Sequence, residues 1–491
     1  MNSMNQGKGL ELFWLLMGRM ALIIGLFMLI PFLTAILRQE IEAWLFLAPA
    51  ATAIISGLGM ERLGADHSRQ LTTRESAMFM VLVWVLLGVL GAMPYIISGL
   101  FPSVTAAIFE TIASLTTTGL SCLFFDRTAL PPALLLWHSI MSWLGGLSFV
   151  IMLATVMPQI SGCFGLSLSV RQSIFFSPVW NRMSKSVRQG ASVYAILTLL
   201  AAGLFWLAGL TPFEALTRAM MTLSSSGGVS IYTFLNENNV LLELAGMAAM
   251  LFSSISLLLC WKAWNRKNWW LLLKDTEFRA FMVILLAFGA MLSLYLYLMG
   301  VYDLAASCRY GFFQALSFLS TNGYASAPFW QWPDFTRYLL FILVFIGGCM
   351  GSAAGGLKVM RILVLWRMAW AELKRTLHPH MVIAVKVDGL LVPAKILGRI
   401  LTFLFLYMAI FVIFSLLLSL TGIDMMQAMG LAAGCLTSTG STAALFGVGT
   451  LAYFPDWAKL LCCLLMILGR IEIFSFLVLL DVSHHIMIKR W

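Results

Sequence analysis

One short polar stretch occurs four times in a chain that is otherwise strongly apolar. Residues 115–121 read LTTTGLS, 223–230 read LSSSGGVS, 319–326 read LSTNGYAS and 436–443 read LTSTGSTA. Their marker glycines, Gly119, Gly227, Gly323 and Gly440, recur at intervals of roughly 100 residues. Around each, the hydropathy pattern is the same: a long apolar helix, a short one, the polar loop, and a second long helix. That period is too long for a solenoid, whereas internal repeats of this size are usual in membrane transport folds.

Composition fixes the solvent. Of 491 residues, 61% are hydrophobic and 11% charged, against about 25% charged in a soluble protein. With a mean hydropathy of +0.93, the chain reads as an integral membrane protein. Lipid offers no partner for loose backbone groups, and the segments are too long and evenly apolar for barrel strands. The expected fold class is all-α: four helix–pore-helix–helix units around one ion pathway, plus an N-terminal helical hairpin.

The expected divisions are 1–75 for the hairpin and a basic link, then units 76–188, 189–276, 277–392 and 393–491. The hairpin helices are expected over 12–37 and 41–60. Unit helices are expected over 78–98, 103–115 and 131–157; 190–210, 212–223 and 240–261; 278–299, 303–319 and from near 335; and 396–420, 424–436 and 452–480. The segment from Leu10 to Leu37 is too long for a signal-peptide core and precedes no small-residue cleavage pattern.

The net charge of +10 is not a nucleic-acid signal. Lys and Arg cluster in four connections, 62–74, 171–188, 262–279 and 358–386. By the positive-inside rule these are cytoplasmic, as are both termini. The eight cysteines show no CxxC spacing and read as small buried residues, with neither a disulfide framework nor a metal site. The six histidines, His67, His138, His378, His380, His484 and His485, lack ligand spacing and read as loop or helix-end residues. No Walker, G-x-S-x-G or H-E-x-x-H motif is present, which argues against ATP hydrolysis or protease chemistry.

Each loop sets hydroxyl or amide residues before its glycine: Thr117 and Thr118, Ser225 and Ser226, Thr321 and Asn322, Ser438 and Thr439. Glycine lets successive carbonyls turn to one side, and a ring of carbonyls replaces the hydration shell of an alkali cation. The short helix before each loop would aim its negative C-terminal end at that cation. These twelve residues are the expected filter, and the only expected metal is the transported ion.

Gly347, Gly348, Gly351, Gly355 and Gly356 fall within ten residues, GGCMGSAAGG, and interrupt the third unit's last helix. Such a break reads either as tight packing or as a gate below the filter; a plug would make few contacts and leave its glycines without fixed shape. Arg470 and Glu472 lie deep in the last helix. Intramembrane charges face a cavity or a partner, so Arg470 reads as a positive barrier beside the pathway, or as half of an interhelical ion pair. Glu110 and Glu214, in the first and second pore helices, read as structural anchors.

Residues 116–119 (TTTG), 347–363 (GGCMGSAAGGLKVMRIL), 378–379 (HP) and 468–474 (LGRIEIF) carry a resemblance across essentially the whole chain. It resembles the membrane subunit of bacterial Trk/Ktr-type potassium transporters, related to fungal Trk and plant HKT proteins. The resemblance implies K⁺ uptake across a bacterial inner membrane with no bound cofactor, a homodimer, a cytosolic nucleotide-binding regulatory subunit, and a gating loop at 347–356. The fourth loop departs from the family pattern by lacking a proline-glycine continuation, and the second unit's last helix ends LLLCWKAW. A Na⁺-conducting relative is implied to carry serine at the first marker glycine; Gly119 argues against it. A polytopic enzyme would need a carboxylate pair or His/Asp cluster at one depth, and none is evident.

Overall fold

The computed structural model describes residues 2–40, 43–64, 73–123, 130–155, 179–227, 234–235, 239–378, 384–388 and 390–471. Two long helices, α1 (Asn2–Leu37) and α2 (Trp44–Leu63), form the N-terminal hairpin. The first unit follows as α3 (Thr73–Ser98), α4 (Val104–Leu115) and α5 (Pro132–Thr155). The second holds α6 (Val179–Leu207), α7 (Pro212–Leu223), α8 (Val240–Ser254) and α9 (Leu257–Asn265), then the short α10 (Trp270–Lys274). The third holds α11 (Thr276–Leu298), α12 (Leu304–Leu319), α13 (Asp334–Ile346) and α14 (Val359–Leu377). A two-stranded antiparallel pair, Lys386–Val387 with Leu390–Leu391, leads to the fourth unit. There α15 (Ala394–Ser419), α16 (Met425–Thr437), α17 (Ser441–Ala444) and α18 (Asp456–Ile471) complete the described chain.

Among the described residues, six helices are long and apolar enough to cross a membrane, and the pair α8–α9, bent by 94°, forms a broken seventh candidate. Their outward faces carry Ile55, Leu199, Val283, Phe405 and Leu416, all exposed, as lipid contact requires. The short helices are the opposite. α4 has 12 residues, so it rises only about 18 Å and cannot cross ~30 Å of hydrocarbon. It is buried from Phe109 to Leu115, and α16 from Gly430 to Thr437.

Polar caps set where the short helices begin. Ser103 accepts from the Ala106 amide at 3.2 Å. Thr211 with Glu214, and Asp424 with Gln427, close reciprocal capping boxes, each satisfying two otherwise unpaired amides. Glu214 therefore serves the start of its own helix.

Three expectations need correction. Residues 240–261 are not one helix: α8 stops at Ser254 and α9 starts at Leu257. The glycine-rich segment docks into this break, its Cys349 amide bonding the Ser254 carbonyl at 3.0 Å and its Gly351 carbonyl accepting from Leu257 at 3.1 Å. The foreign backbone supplies partners that a continuous helix would have supplied itself. Second, His138 is no loop or helix-end residue. It lies within α5, 1% exposed, with Nδ1 3.6 Å from Glu110. Third, Lys358 and Arg361 do not belong to a solvated basic connection, being 3% and 4% exposed. The last helix is described from Asp456 to Ile471, so Glu472 lies outside the described residues, as do Pro379, His67, His380, His484, His485 and Cys163.

Candidate functional site

The four polar loops share one backbone construction. Each short helix ends in a residue with left-handed φ: Thr117 at 56°, Ser225 at 58°, Thr321 at 58° and Ser438 at 58°. The next amide reaches back to the helix, from Thr118 to Ala113 at 2.8 Å, Ser226 to Met221 at 3.0 Å, Asn322 to Ser317 at 3.0 Å and Thr439 to Gly434 at 2.9 Å. Glycine is the usual residue at this helix-ending position. A side chain there costs about 1–2 kcal/mol, and a β-branched one is a genuine outlier. Four hydroxyl residues held in this conformation imply that the hydroxyls are needed.

Their side chains answer that. Ser225 Oγ donates to the carbonyl of Ala353 at 3.0 Å. Thr321 Oγ1 accepts from the Gly355 amide at 2.8 Å. Thr117 Oγ1 accepts from Arg470, whose other amino group donates to the Ala353 carbonyl at 3.0 Å. Beneath the fourth loop, a Cβ on Gly355 would strike the Thr437 carbonyl and sit 3.2 Å from Ser438 Cβ. Ser225, Thr321 and Ser438 thus lie against segment 347–356, and Thr117 reaches it through Arg470.

That segment has a defined shape, contrary to the few contacts expected of a plug. Gly347, Gly351 and Gly356 take φ of 74°, 76° and 77°, and Gly348 packs against Ala354 and Ser352. Ser352, Ala353 and Ala354 are buried. Its ends are stapled together, Leu357 to Phe345 and Lys358 to Ile346, both at 2.9 Å. Glu277 in α11 accepts from the amides of Met350 at 2.6 Å and Met360 at 3.2 Å. Arg470, Lys358 and Arg361 bond the carbonyls of Ala353, Ala354 and Leu357 respectively. Three buried cations and one buried carboxylate therefore hold this turn.

Arg470, 1% exposed, meets a carbonyl and a hydroxyl of the site. Glu110 lies behind the first loop, accepting from Ser121 Oγ and the Cys122 amide, both at 3.0 Å; it anchors the backbone that leaves that loop. Glu277, Lys358 and Arg361 escaped the sequence reading because they sit among residues that look like charged cytoplasmic links. The left-handed φ of Lys358, 79°, follows from its place at the end of the glycine turn.

Above the hydroxyls the loops meet edge to edge. A Cβ on Gly227 would strike the Asn322 carbonyl, one on Gly323 the Ser441 hydroxyl, and one on Gly440 would lie 2.6 Å from the Thr118 carbonyl. Loop two thus meets loop three, three meets four, and four meets one. No described amide donates to the carbonyls of Thr117, Ser225, Thr321 or Ser438. Buried carbonyls ordinarily have partners, and four equivalent loop carbonyls without amide partners suit a dehydrated cation. Among the described residues, no cluster of His, Cys, Asp and Glu could hold a resident metal.

Comparison with known proteins agrees with this architecture. The TrkH family, described as cation transport protein, matches residues 46–486. The Trk system potassium uptake protein TrkG of Escherichia coli (strain K12) is 31% identical over 469 residues, covering 93% of this chain and 94% of the relative. The TrkH protein of Vibrio parahaemolyticus is 30% identical over 486 residues, covering 95% and 97%. The crystal structure of the potassium transporter TrkH from Vibrio parahaemolyticus superposes with a TM-score of 0.88 at 28% identity, covering 96% of this chain and 98% of that one. With its repeated units, buried short helices and end-to-end match, this membrane protein belongs to the TrkH family of cation transport proteins.

Proposed function

We propose that this chain takes up potassium ions along the axis shared by its four polar loops. The observation that carries the reading is the layer of carbonyls at Thr117, Ser225, Thr321 and Ser438, buried and without described amide donors. The filter comprises these residues with Thr118, Gly119, Ser226, Gly227, Asn322, Gly323, Thr439 and Gly440. The repeated units run over 76–188, 189–276, 277–392 and 393–491, after the hairpin and link at 1–75. K⁺ is cargo, and the chain needs no bound cofactor.

Gly347, Gly348, Gly351, Gly355 and Gly356 form the gate, with Arg470 as its positive latch. The reading is supported by the turn's contacts with loops two, three and four, by its link to loop one through Arg470, and by carbonyls tied to buried cations. The membrane is the bacterial inner membrane with both termini cytoplasmic, supported by the basic connections. A homodimer regulated by a cytosolic nucleotide-binding subunit fits the potassium uptake systems for which the relatives are named.

Purified protein in liposomes tests this directly. K⁺-dependent current with a reversal potential following the K⁺ gradient is expected. Equal permeation of K⁺ and Na⁺, or no ion flux from folded protein, overturns the reading.

A further inference from the structure

The fourth loop is built unlike the other three. Gly119, Gly227 and Gly323 take φ of 71°, 72° and 75°, but Gly440 takes −57° and opens the short helix α17. The helix consumes the fourth loop's own oxygens. The Thr439 carbonyl accepts from Thr442 at 3.0 Å, and the Gly440 carbonyl from Ala443 at 3.1 Å. Neither is then free to turn toward a cation.

At two other junctions, the oxygen lying against a marker glycine is a backbone carbonyl. Asn322, just before its own glycine, presents its carbonyl to Gly227. Thr118, in the equivalent position, presents its carbonyl to Gly440, whose amide donates to it at 2.6 Å. By this pattern Thr439 would present its carbonyl to Gly323. The oxygen there is instead Ser441 Oγ. Ser441 is 3% exposed, and its hydroxyl has no hydrogen-bond partner among the described residues. The same holds for Thr439 Oγ1, in a residue 0% exposed. Leaving a buried hydroxyl unpaired is costly, and two such hydroxyls within three residues of one loop point to a ligand.

We propose that Ser441, assisted by Thr439, contributes hydroxyl oxygen to the ion pathway where the fourth loop's carbonyls are withdrawn, so that Ser441 is a specificity-determining residue for the transported cation. The ligand class is a dehydrated alkali cation. The inner layer then binds through four carbonyls, and the outer layer through carbonyls of loops two and three with a hydroxyl from loop four. The hydroxyl adds a ligand oxygen to that outer layer, so its removal weakens how well the layer replaces the hydration shell of K⁺. The inference rests on the four loops being the filter.

The test compares K⁺/Na⁺ permeability ratios from reversal potentials of purified, size-verified protein in planar bilayers. Ser441→Ala is expected to lower the ratio by roughly tenfold, the scale on which a lost ligand at a carbonyl site shows. Ser441→Thr, which keeps the hydroxyl, is expected to recover it. Ser441→Cys replaces oxygen by soft sulfur and is expected to make the flux sensitive to external Ag⁺ beyond the sensitivity of the wild type, which retains its native cysteines. Should Ser441→Ala not fold, the Thr and Cys variants carry the test. Wild-type ratios together with no added Ag⁺ sensitivity overturn the proposal. A parallel Gly227→Ala variant separates the two readings. An altered ratio there with a silent Ser441 sinks only the role of Ser441, whereas silence at both sites sinks the filter itself.

Discussion

Arg470 donates a hydrogen bond to the carbonyl of Ala353 at 3.0 Å, linking the last helix to a turn of the third unit 117 residues away. The same guanidinium reaches Thr117 in the first loop. One buried cation thus ties the glycine turn to the first polar loop, and under the proposed function it is the barrier to a leaving ion. Hydrogen bonds from a charged donor are worth about 1.5–3 kcal/mol each, and each ~1.4 kcal/mol is tenfold in an equilibrium. Arg470→Ala is expected to raise ⁸⁶Rb⁺ uptake by about tenfold or more. Lost folded protein, judged by size-exclusion profile, would show instead that the residue is a structural tie.

The left-handed hydroxyl residues give a test in which stability and flux separate. Thr321→Gly relieves a strained backbone, a gain of about 1 kcal/mol, and removes the acceptor for Gly355, a loss of about 0.5–1.5 kcal/mol. Thermal unfolding should change little while uptake rises. A fall in both would mean that the hydroxyl supports the fold and not the closed state.

Gly119 and Gly323 are the positions where a side chain should damage selectivity most plainly. Both hold φ above 70°, where a Cβ is strained, and at Gly323 that Cβ collides with Ser441. Gly119→Ser and Gly323→Ser are expected to lower the K⁺/Na⁺ ratio at least several-fold. Reversal potentials unchanged in both variants would remove these loops from the filter.

Glu277 offers a handle outside the pathway. Its carboxylate accepts two amides of the glycine turn and its far end. Glu277→Ala leaves both buried donors without that partner, at about 1–3 kcal/mol each, whereas Glu277→Gln keeps an acceptor oxygen. Uptake should rise in the order wild type, Gln, Ala. The reverse order, or equal rates, would show that the carboxylate plays no part in holding the turn.

How much of this was legible in the sequence depended on whether a signal was local. The four units could be read because each repeats a hydropathy pattern and one glycine. The break between α8 and α9 had only a short local sign, the SSIS run at 253–256 inside an apolar stretch, because the break is filled by backbone from the third unit. His138 looked peripheral because nothing near it in sequence shows that Glu110 packs beside it. Lys358 and Arg361 were hidden among true surface cations, and only the glycine turn reveals that they are inside. Likewise TSTG in the fourth loop reads like its siblings; the helix that withdraws its carbonyls depends on the residues after Gly440.

Deleting Met350 to Ala354 asks whether the turn is packing or gate, and the geometry favours a folded product. Excision must join Cys349 to Gly355, so the question is whether the helices on either side have to move. They need not: a Cβ on Gly356 would lie 2.8 Å from the Gly347 α-carbon, and the Leu357 and Lys358 amides already bond α13 carbonyls at 2.9 Å. The turn leaves and returns at one point. Its removal does strip Ala353 from Arg470 and Ser225, Gly351 from Leu257 and Met350 from Glu277. In a dry core such losses, at about 1–3 kcal/mol apiece, would unfold a protein of ordinary stability, about 5–15 kcal/mol. Under an opened filter those groups would face water, which supplies the missing partners. The expected result is a monodisperse deletion protein whose ⁸⁶Rb⁺ uptake exceeds wild type. Well-folded protein with wild-type or lower uptake would rule out the gate, and failure to assemble would show that the turn is part of the core.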